Sequence, residues 1–275
     1  MNSLTDRQKR EIDYHKSHAV SVAEDYKAMD WSVIISPVRR WWNAYWDIWT
    51  FLTGLQLRGK KVLVVGCGAG GDALLFAKLG ATVFAFDLSA DMLAHGIRLA
   101  KENGLSVTFD EMPAEKMTYQ ADMFDIVFAR DILHHVDIPA TMREINRVSK
   151  PNALLVVNEI YSHSITNSIR KSWLVERLLY PSMQKFIYKG KKPYITQDER
   201  KMTERDVARV RSQIGDIAYQ KYFNFLVTRI VPDRFSGLNK LDRIALIVLG
   251  PLGHFLAGRI AFAGKLQKRR QSGLD

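Results

Sequence analysis

Residues 60–89, KKVLVVGCGAGGDALLFAKLGATVFAFDLS, decide the fold. Val62–Val65 is a short, continuous, valine-rich apolar run, the pattern of a strand buried on both faces. It stops at Gly66-Cys67-Gly68-Ala69-Gly70-Gly71. Asp72 stands at the expected N-cap of a helix over Ala73–Leu79, and Gly80 closes that helix. Thr82–Phe86 reads as a second parallel strand ending in Asp87. Together these make a βαβ unit with its glycine turn at the carboxyl end of the first strand, where open α/β sheets bind ligands. Without Cβ atoms, such a turn can take positive φ and let a ligand approach the backbone closely. Asp87, about 20 residues beyond Gly66, can accept hydrogen bonds from both hydroxyls of a ribose. The stretch therefore implies an adenosine-type cofactor. Gly66, Gly68 and Gly71 also satisfy G-x-G-x-x-G, so a nicotinamide dinucleotide is weighed as well.

The turn is better described as V-V-G-C-G-A-G-G, which resembles motif I of the class I S-adenosylmethionine-dependent methyltransferases. Asp87-Leu88-Ser89-Ala90-Asp91-Met92-Leu93 resembles that family's D-x-S-x-x-M-L continuation. Phe124–Ala129 followed by Leu133-His134-His135-Val136 resembles its fourth strand and post-strand helix, here a short helix expected from Asp131. Arg147-Val148-Ser149-Lys150-Pro151 resembles its lead into strand five. The resemblance runs over residues 55–160, in the family's order and spacing. It implies a Rossmann-like α/β fold: a mostly parallel seven-stranded sheet with one antiparallel strand, helices on both faces and helical lid insertions. It also implies S-adenosylmethionine as cofactor. By resemblance, Gly66, Gly68 and Gly70 approach the methionine part, Asp87 the ribose, and Leu88, Met112 and Ala114 the adenine. Arg130 lies beside the methyl donor, Cys67 and Met92 belong to the same cofactor-binding set, and Tyr14 is a contact from an N-terminal segment folded over the cofactor. Pro113 occupies the position where the family usually carries an aspartate, so the adenine amino group would need a backbone carbonyl or Glu115.

Catalysis points to His134 and His135, which follow the fourth strand. Histidine titrates near neutral pH and can take a proton from an acceptor hydroxyl. The competing reading is a structural histidine in the L-H-H-V turn. Glu159, at the end of the fifth strand over Leu154–Val157, would face the acceptor and orient either ring, ahead of Tyr161. Asp131 and His135 share a helical i, i+4 spacing, but two ligands do not make a site, and no metal is expected. Cys67, the single cysteine, reads as a small filler of the turn.

The organisation expected is an aromatic-rich helical cap over 1–55, the cofactor-binding core over 56–160, a helical lid over 161–202 and completion of the sheet over 203–275. All but one of the 6 tryptophans fall between residues 30 and 55. Trp42, Tyr45, Trp46 and Trp49 have helical spacing, reading first as a face buried on the sheet and second as an acceptor-pocket or membrane-interface wall. Residues 238–257, LNKLDRIALIVLGPLGHFLA, are too short in apolar run, and too interrupted by Pro251, to span a membrane. They read as an amphipathic cap packed on the lid, or as a surface helix pair. The N-terminus lacks an apolar signal region, and the expected location is cytoplasmic, with possible peripheral membrane contact.

At 275 residues with 47% hydrophobic content, the composition is that of an ordinary globular protein. The net charge of +11 fits an anionic membrane surface, nucleic acid or a phosphorylated substrate; no nucleic-acid module accompanies it, and a solvated basic surface is the default reading. The expected function is O-methylation of a small, fairly apolar acceptor, which can be phosphorylated or lipid-linked, with a histidine/glutamate base. Set against it are a non-catalytic scaffold of the same fold, an NAD-dependent oxidoreductase and an RNA methyltransferase.

Overall fold

A computed structural model describes residues 5–10, 12, 28–170, 172, 173, 177, 200–227 and 235–267. Tyr14, most of the expected lid and the basic run 189–192 lie outside the described residues.

The quoted stretch forms β1 (Lys61–Val65), a glycine turn and β2 (Thr82–Asp87), in parallel register with Val62 opposite Val83. Between them lies a helix over Gly71–Lys78, and before them one over Ala44–Thr53; these are α2 and α1. The next elements are α3 (Ala90–Glu102), β3 (Val107–Glu111), β4 (Phe124–Arg130), α4 (Ile138–Val148) and β5 (Ser149–Ile160). After these come α5 (Ser164–Arg170), α6 (Glu204–Arg211), β6 (Ile214–Phe223), α7 (Ser236–Val248), α8 (Gly253–Leu256) and β7 (Arg259–Leu266).

The sheet order is β3-β2-β1-β4-β5-β7-β6. The first five strands are parallel, and β7 runs antiparallel between β5 and β6. A dinucleotide fold instead has the order 3-2-1-4-5-6 in a mostly parallel sheet. The inserted antiparallel strand is the arrangement that the methyltransferase resemblance implies.

The continuous apolar strands follow from burial on both faces. Leu63, Val65, Val127 and Leu155 join one core with Met142 and Ile145 of α4 and Val210 of α6. Val62, Val64, Phe128 and Val156 join the other with Trp46, Trp49 and Leu52 of α1 and Phe76 of α2. Trp49 packs at 4.7 Å from Phe76 and 5.9 Å from Phe128, ring centre to ring centre. The tryptophan stripe is thus mainly core. Trp42 precedes α1, and Tyr45 stays half-buried.

Several local expectations change. The N-cap of α2 is Gly70 in the left-handed region (φ 79°), not Asp72, which is buried inside the first turn. The short helix expected from Asp131 is a single turn, Leu133–His135, entered through Asp131 at φ 54°. Thr203-Glu204-Arg205-Asp206 reads in the sequence as a helix start with a capping threonine, and at the start of α6 Thr203 and Asp206 form that reciprocal box. The 238–257 segment does meet the lid: the Thr166 hydroxyl donates to the Phe255 carbonyl, and His163 packs against Phe255 at 4.5 Å.

Candidate active site

A cavity of about 660 Å³ opens at the carboxyl edge of the parallel strands, a volume suited to a cofactor-sized ligand. Gly66, Cys67 and Gly68 line it from the turn, Asp87, Leu88, Ser89 and Met92 from the end of β2 and the start of α3. Met112, Pro113, Ala114 and Glu115 form another wall, and Arg130, His134 and His135 a third.

The turn is built for close approach. Gly66 (φ 59°) and Gly68 (φ 51°) occupy conformations that side-chain-bearing residues rarely take. A Cβ on Gly66 would fall 2.5 Å from the side chain of Ile132. Gly70 does not line the cavity. Its Cβ would meet the Phe109 ring at 3.0 Å and the Gly96 Cα at 3.1 Å, so it serves the packing of α2 against α3 and β3. Asp87 bridges the unit: Oδ2 accepts from Gly68 N at 2.8 Å and Oδ1 from Ser89 N at 3.0 Å. Each carboxylate oxygen retains acceptor capacity toward the cavity. Burial, reinforced by Asp87, pushes the Cys67 thiol well above its ordinary range, which disfavours its thiolate.

A ladder of charges crosses the floor. Asp72 receives Trp49 Nε1 at 3.3 Å and Arg130 Nε at 2.7 Å. Arg130 reaches Asp131 at 3.1 Å, and Asp131 reaches Arg259 at 2.6 Å. Burial raises the Asp131 carboxyl, but Arg259 and Arg130 outweigh it and hold the group below the usual range. Arg130 also stacks over Tyr45 at 4.9 Å.

The histidines differ in their surroundings. His134 is buried, with Nδ1 at 2.7 Å from Glu159 Oε2. Glu159 Oε1 accepts from the backbone N–H groups of Ile132 and Leu133, both at 2.7 Å. His135 is half-buried and packs on His134 at 4.0 Å between ring centres. Glu159 was expected to face the acceptor. It is instead wholly buried beneath His134, because β5 runs on to Ile160 and turns this side chain toward the Ile132–His134 turn. Asp131, His134 and Glu159 bring possible ligand atoms within 4.8 Å of one another. Two guanidinium groups occupy Asp131, and three hydrogen bonds occupy Glu159, so this donor set is spent on internal partners.

From the N-terminal segment, Arg7 reaches the His134 carbonyl at 3.4 Å, and Gln8 reaches Glu115 at 3.1 Å. Glu115 also accepts from Asp137 N at 3.1 Å. Arg259 was not singled out from the sequence as a site residue. Asp72 was read there as an N-cap, Tyr45 as part of the aromatic stripe and Asp131 as a discarded metal ligand, and the ion-pair ladder that joins them has no local signal.

Residues 63–157 match the methyltransferase domain family. A ubiquinone biosynthesis O-methyltransferase of Methylococcus capsulatus is 32% identical over 129 residues, 42% of this chain and 54% of that protein. A phosphoethanolamine N-methyltransferase of Arabidopsis thaliana is 34% identical over 112 residues, 40% of this chain and 23% of that protein. The match thus spans about half of the first relative and about a quarter of the second. Among solved structures, a magnesium protoporphyrin IX methyltransferase of Synechocystis with bound SAH superposes with a TM-score of 0.56 at 15% identity. That superposition covers 95% of this chain and 100% of the other.

Proposed function

We propose that this chain, which carries a class I S-adenosylmethionine-dependent methyltransferase domain over residues 63–157, methylates a hydroxyl of a small, fairly apolar, lipid-like acceptor. S-adenosylmethionine is the cofactor of this domain, and the residues present fit it. Gly66 and Gly68 open the backbone to a ligand, Asp87 offers an acceptor on each oxygen for a ribose, and Met112 and Ala114 offer buried apolar contacts for a purine. When bound, the cofactor supplies an electrophilic methyl group on a sulfonium sulfur.

What the chain adds is position and the removal of one proton. Glu159 Oε1 accepts two backbone N–H groups and Oε2 faces His134 Nδ1; an ionised carboxylate only accepts, so opposite it the ring nitrogen donates. In the tautomer that donates Nδ1–H to Glu159, His134 carries its acceptor lone pair on Nε2, the atom that takes the acceptor's hydroxyl proton. Glu159 is then a positioning residue: it fixes tautomer and ring orientation, as a triad aspartate does for its histidine. The observation that carries this reading is the buried His134–Glu159 pair, whose imidazole lines the same cavity as Asp87 and the glycine turn. A hydroxyl must lose its proton to become a good nucleophile, whereas a neutral amine attacks through its own lone pair. The paired base therefore favours oxygen over nitrogen as the acceptor atom.

The test is calorimetric titration with S-adenosylhomocysteine and, in parallel, NADH, using the native chain and Asp87→Ala. S-adenosylhomocysteine is expected to bind at micromolar concentration and to lose that binding in the variant. Binding of NADH alone would overturn the reading.

A further inference from the structure

The geometry points to α7 and the loop before α1 as one docking surface for an anionic lipid bilayer. A helix on the surface of a globular protein ordinarily turns its apolar side inward. In α7 the sides are reversed: Asn239, Asp242 and Arg243 are buried with Leu246, while Leu238, Leu241, Ile244, Ile247 and Val248 face out. Leu241 is 62% exposed and Val248 80%. Leu252, in the next turn, is exposed as well.

Internal bonds hold this orientation. The Asp242 carboxylate accepts the backbone N–H groups of Phe225, Leu226 and Val227. Arg243 lies over the Phe223 ring at 4.6 Å. Rolling the apolar stripe inward would take the Asp242 acceptor away from the amides of Phe225, Leu226 and Val227, which costs about 1–3 kcal/mol for each one left buried and unpaired.

Charge selects the occupant. The outward side of α7 carries Lys240 and no acidic residue. Lys240 Nζ lies 4.6 Å over Trp42, which joins the helix to the loop where Ile35, Val38 and Trp41 are exposed beside Arg40. Aliphatic side chains ringed by tryptophan, lysine and arginine match the boundary between acyl chains and headgroups. The net charge of +11 attracts an anionic leaflet and opposes pairing with a second copy of the same chain. Among the described residues no helix is long and apolar enough to cross a membrane, so the contact lies on the surface.

Topology relates this surface to the cavity. β6 ends at Phe223, opposite Arg259, which pairs with Ile160 at the carboxyl end of β5. Arg259 and Ile160 both line the cavity, so β6, whose following amides at Phe225–Val227 bond Asp242 of α7, lies beside the strand that borders it. The surface itself stands on α7 and its flanks, whatever the acceptor atom.

The experiment is co-sedimentation of the full chain with vesicles of phosphatidylcholine plus phosphatidylglycerol, and with vesicles of phosphatidylcholine alone. The native chain is expected to pellet with the mixed vesicles. The double variant Leu241→Glu/Ile247→Glu is expected to remain in the supernatant while keeping native affinity for S-adenosylhomocysteine, which shows that it is folded. Equal pelleting of variant and native chain overturns the proposal, as does a native chain that pellets with neither vesicle. A lipid-free dimer by light scattering that the variant cannot form overturns it too, and assigns the face to a second copy.

Discussion

Glu159 accepts two backbone N–H groups and faces an imidazole from a site with no exposed surface, so three of its about four acceptor positions have a defined use. Glu159→Gln keeps the size, and with its oxygen still accepting the Ile132 and Leu133 amides its NH2 group faces His134 Nδ1, which accepts it only in the tautomer that carries the hydrogen on Nε2. The expected outcome is a loss of about 1 kcal/mol or less in urea unfolding, with S-adenosylhomocysteine affinity retained. On an acceptor hydroxyl the same variant is expected to lower kcat by about 10²-fold with little change in KM, since the lost function is proton removal. A fall in cofactor affinity of equal size would move Glu159 from positioning His134 to shaping the cofactor site.

At the scale of single elements, α6 shows how local chemistry starts a helix. Thr203 and Asp206 cap each other across the first turn, and Arg200 adds an ion pair to Asp206 at 2.8 Å. Burial raises the Asp206 carboxyl, but the bonds from Arg200 and Thr203 outweigh it and hold the group below its ordinary range. A carboxyl depressed in the folded state contributes stability above its unfolded value, about 3.9, and loses that contribution as pH falls through the folded value. Asp206→Asn is expected to cost about 1 kcal/mol at neutral pH and to flatten the acid limb of the stability curve below pH ~4. Urea unfolding of both proteins at pH 7 and pH 3.5 checks it; an unchanged acid limb would show that Asp206 is not a source of the acid dependence. This cap was legible in the sequence because its partners lie within one turn. The cap of α2 was misread for the converse reason. Asp72 looks like an N-cap by position, but it is drawn into the first turn by Trp49 and Arg130, which no local pattern reveals.

Across the whole molecule, α1 and the edge strand β6 are tied through one buried acid. Asp47 of α1 accepts the Tyr219 hydroxyl of β6 at 2.5 Å and the Lys221 ammonium at 2.8 Å, and 172 residues separate Asp47 from Tyr219. Asp47→Ala leaves a buried hydroxyl without its acceptor and is expected to destabilise the fold by about 2 kcal/mol, seen as one cooperative thermal transition at lower Tm. An unshifted Tm would mean that the aromatic packing of Phe51 on Tyr219, 5.1 Å between ring centres, suffices to hold α1. The sequence by itself determined the strand–turn–helix–strand unit, the glycine turn and Asp87 at the end of the second strand. These depend on apolar runs, turn residues and caps, which act over a few neighbouring positions. Only the tertiary structure decided that Glu159 sits beneath His134, that Asp72 belongs to Arg130 and that α7 turns its apolar side outward. Periodicity shows that a helix has two faces. Which face goes inward depends on whether distant groups, such as the amides of Phe225 and Val227 for Asp242, satisfy the polar one.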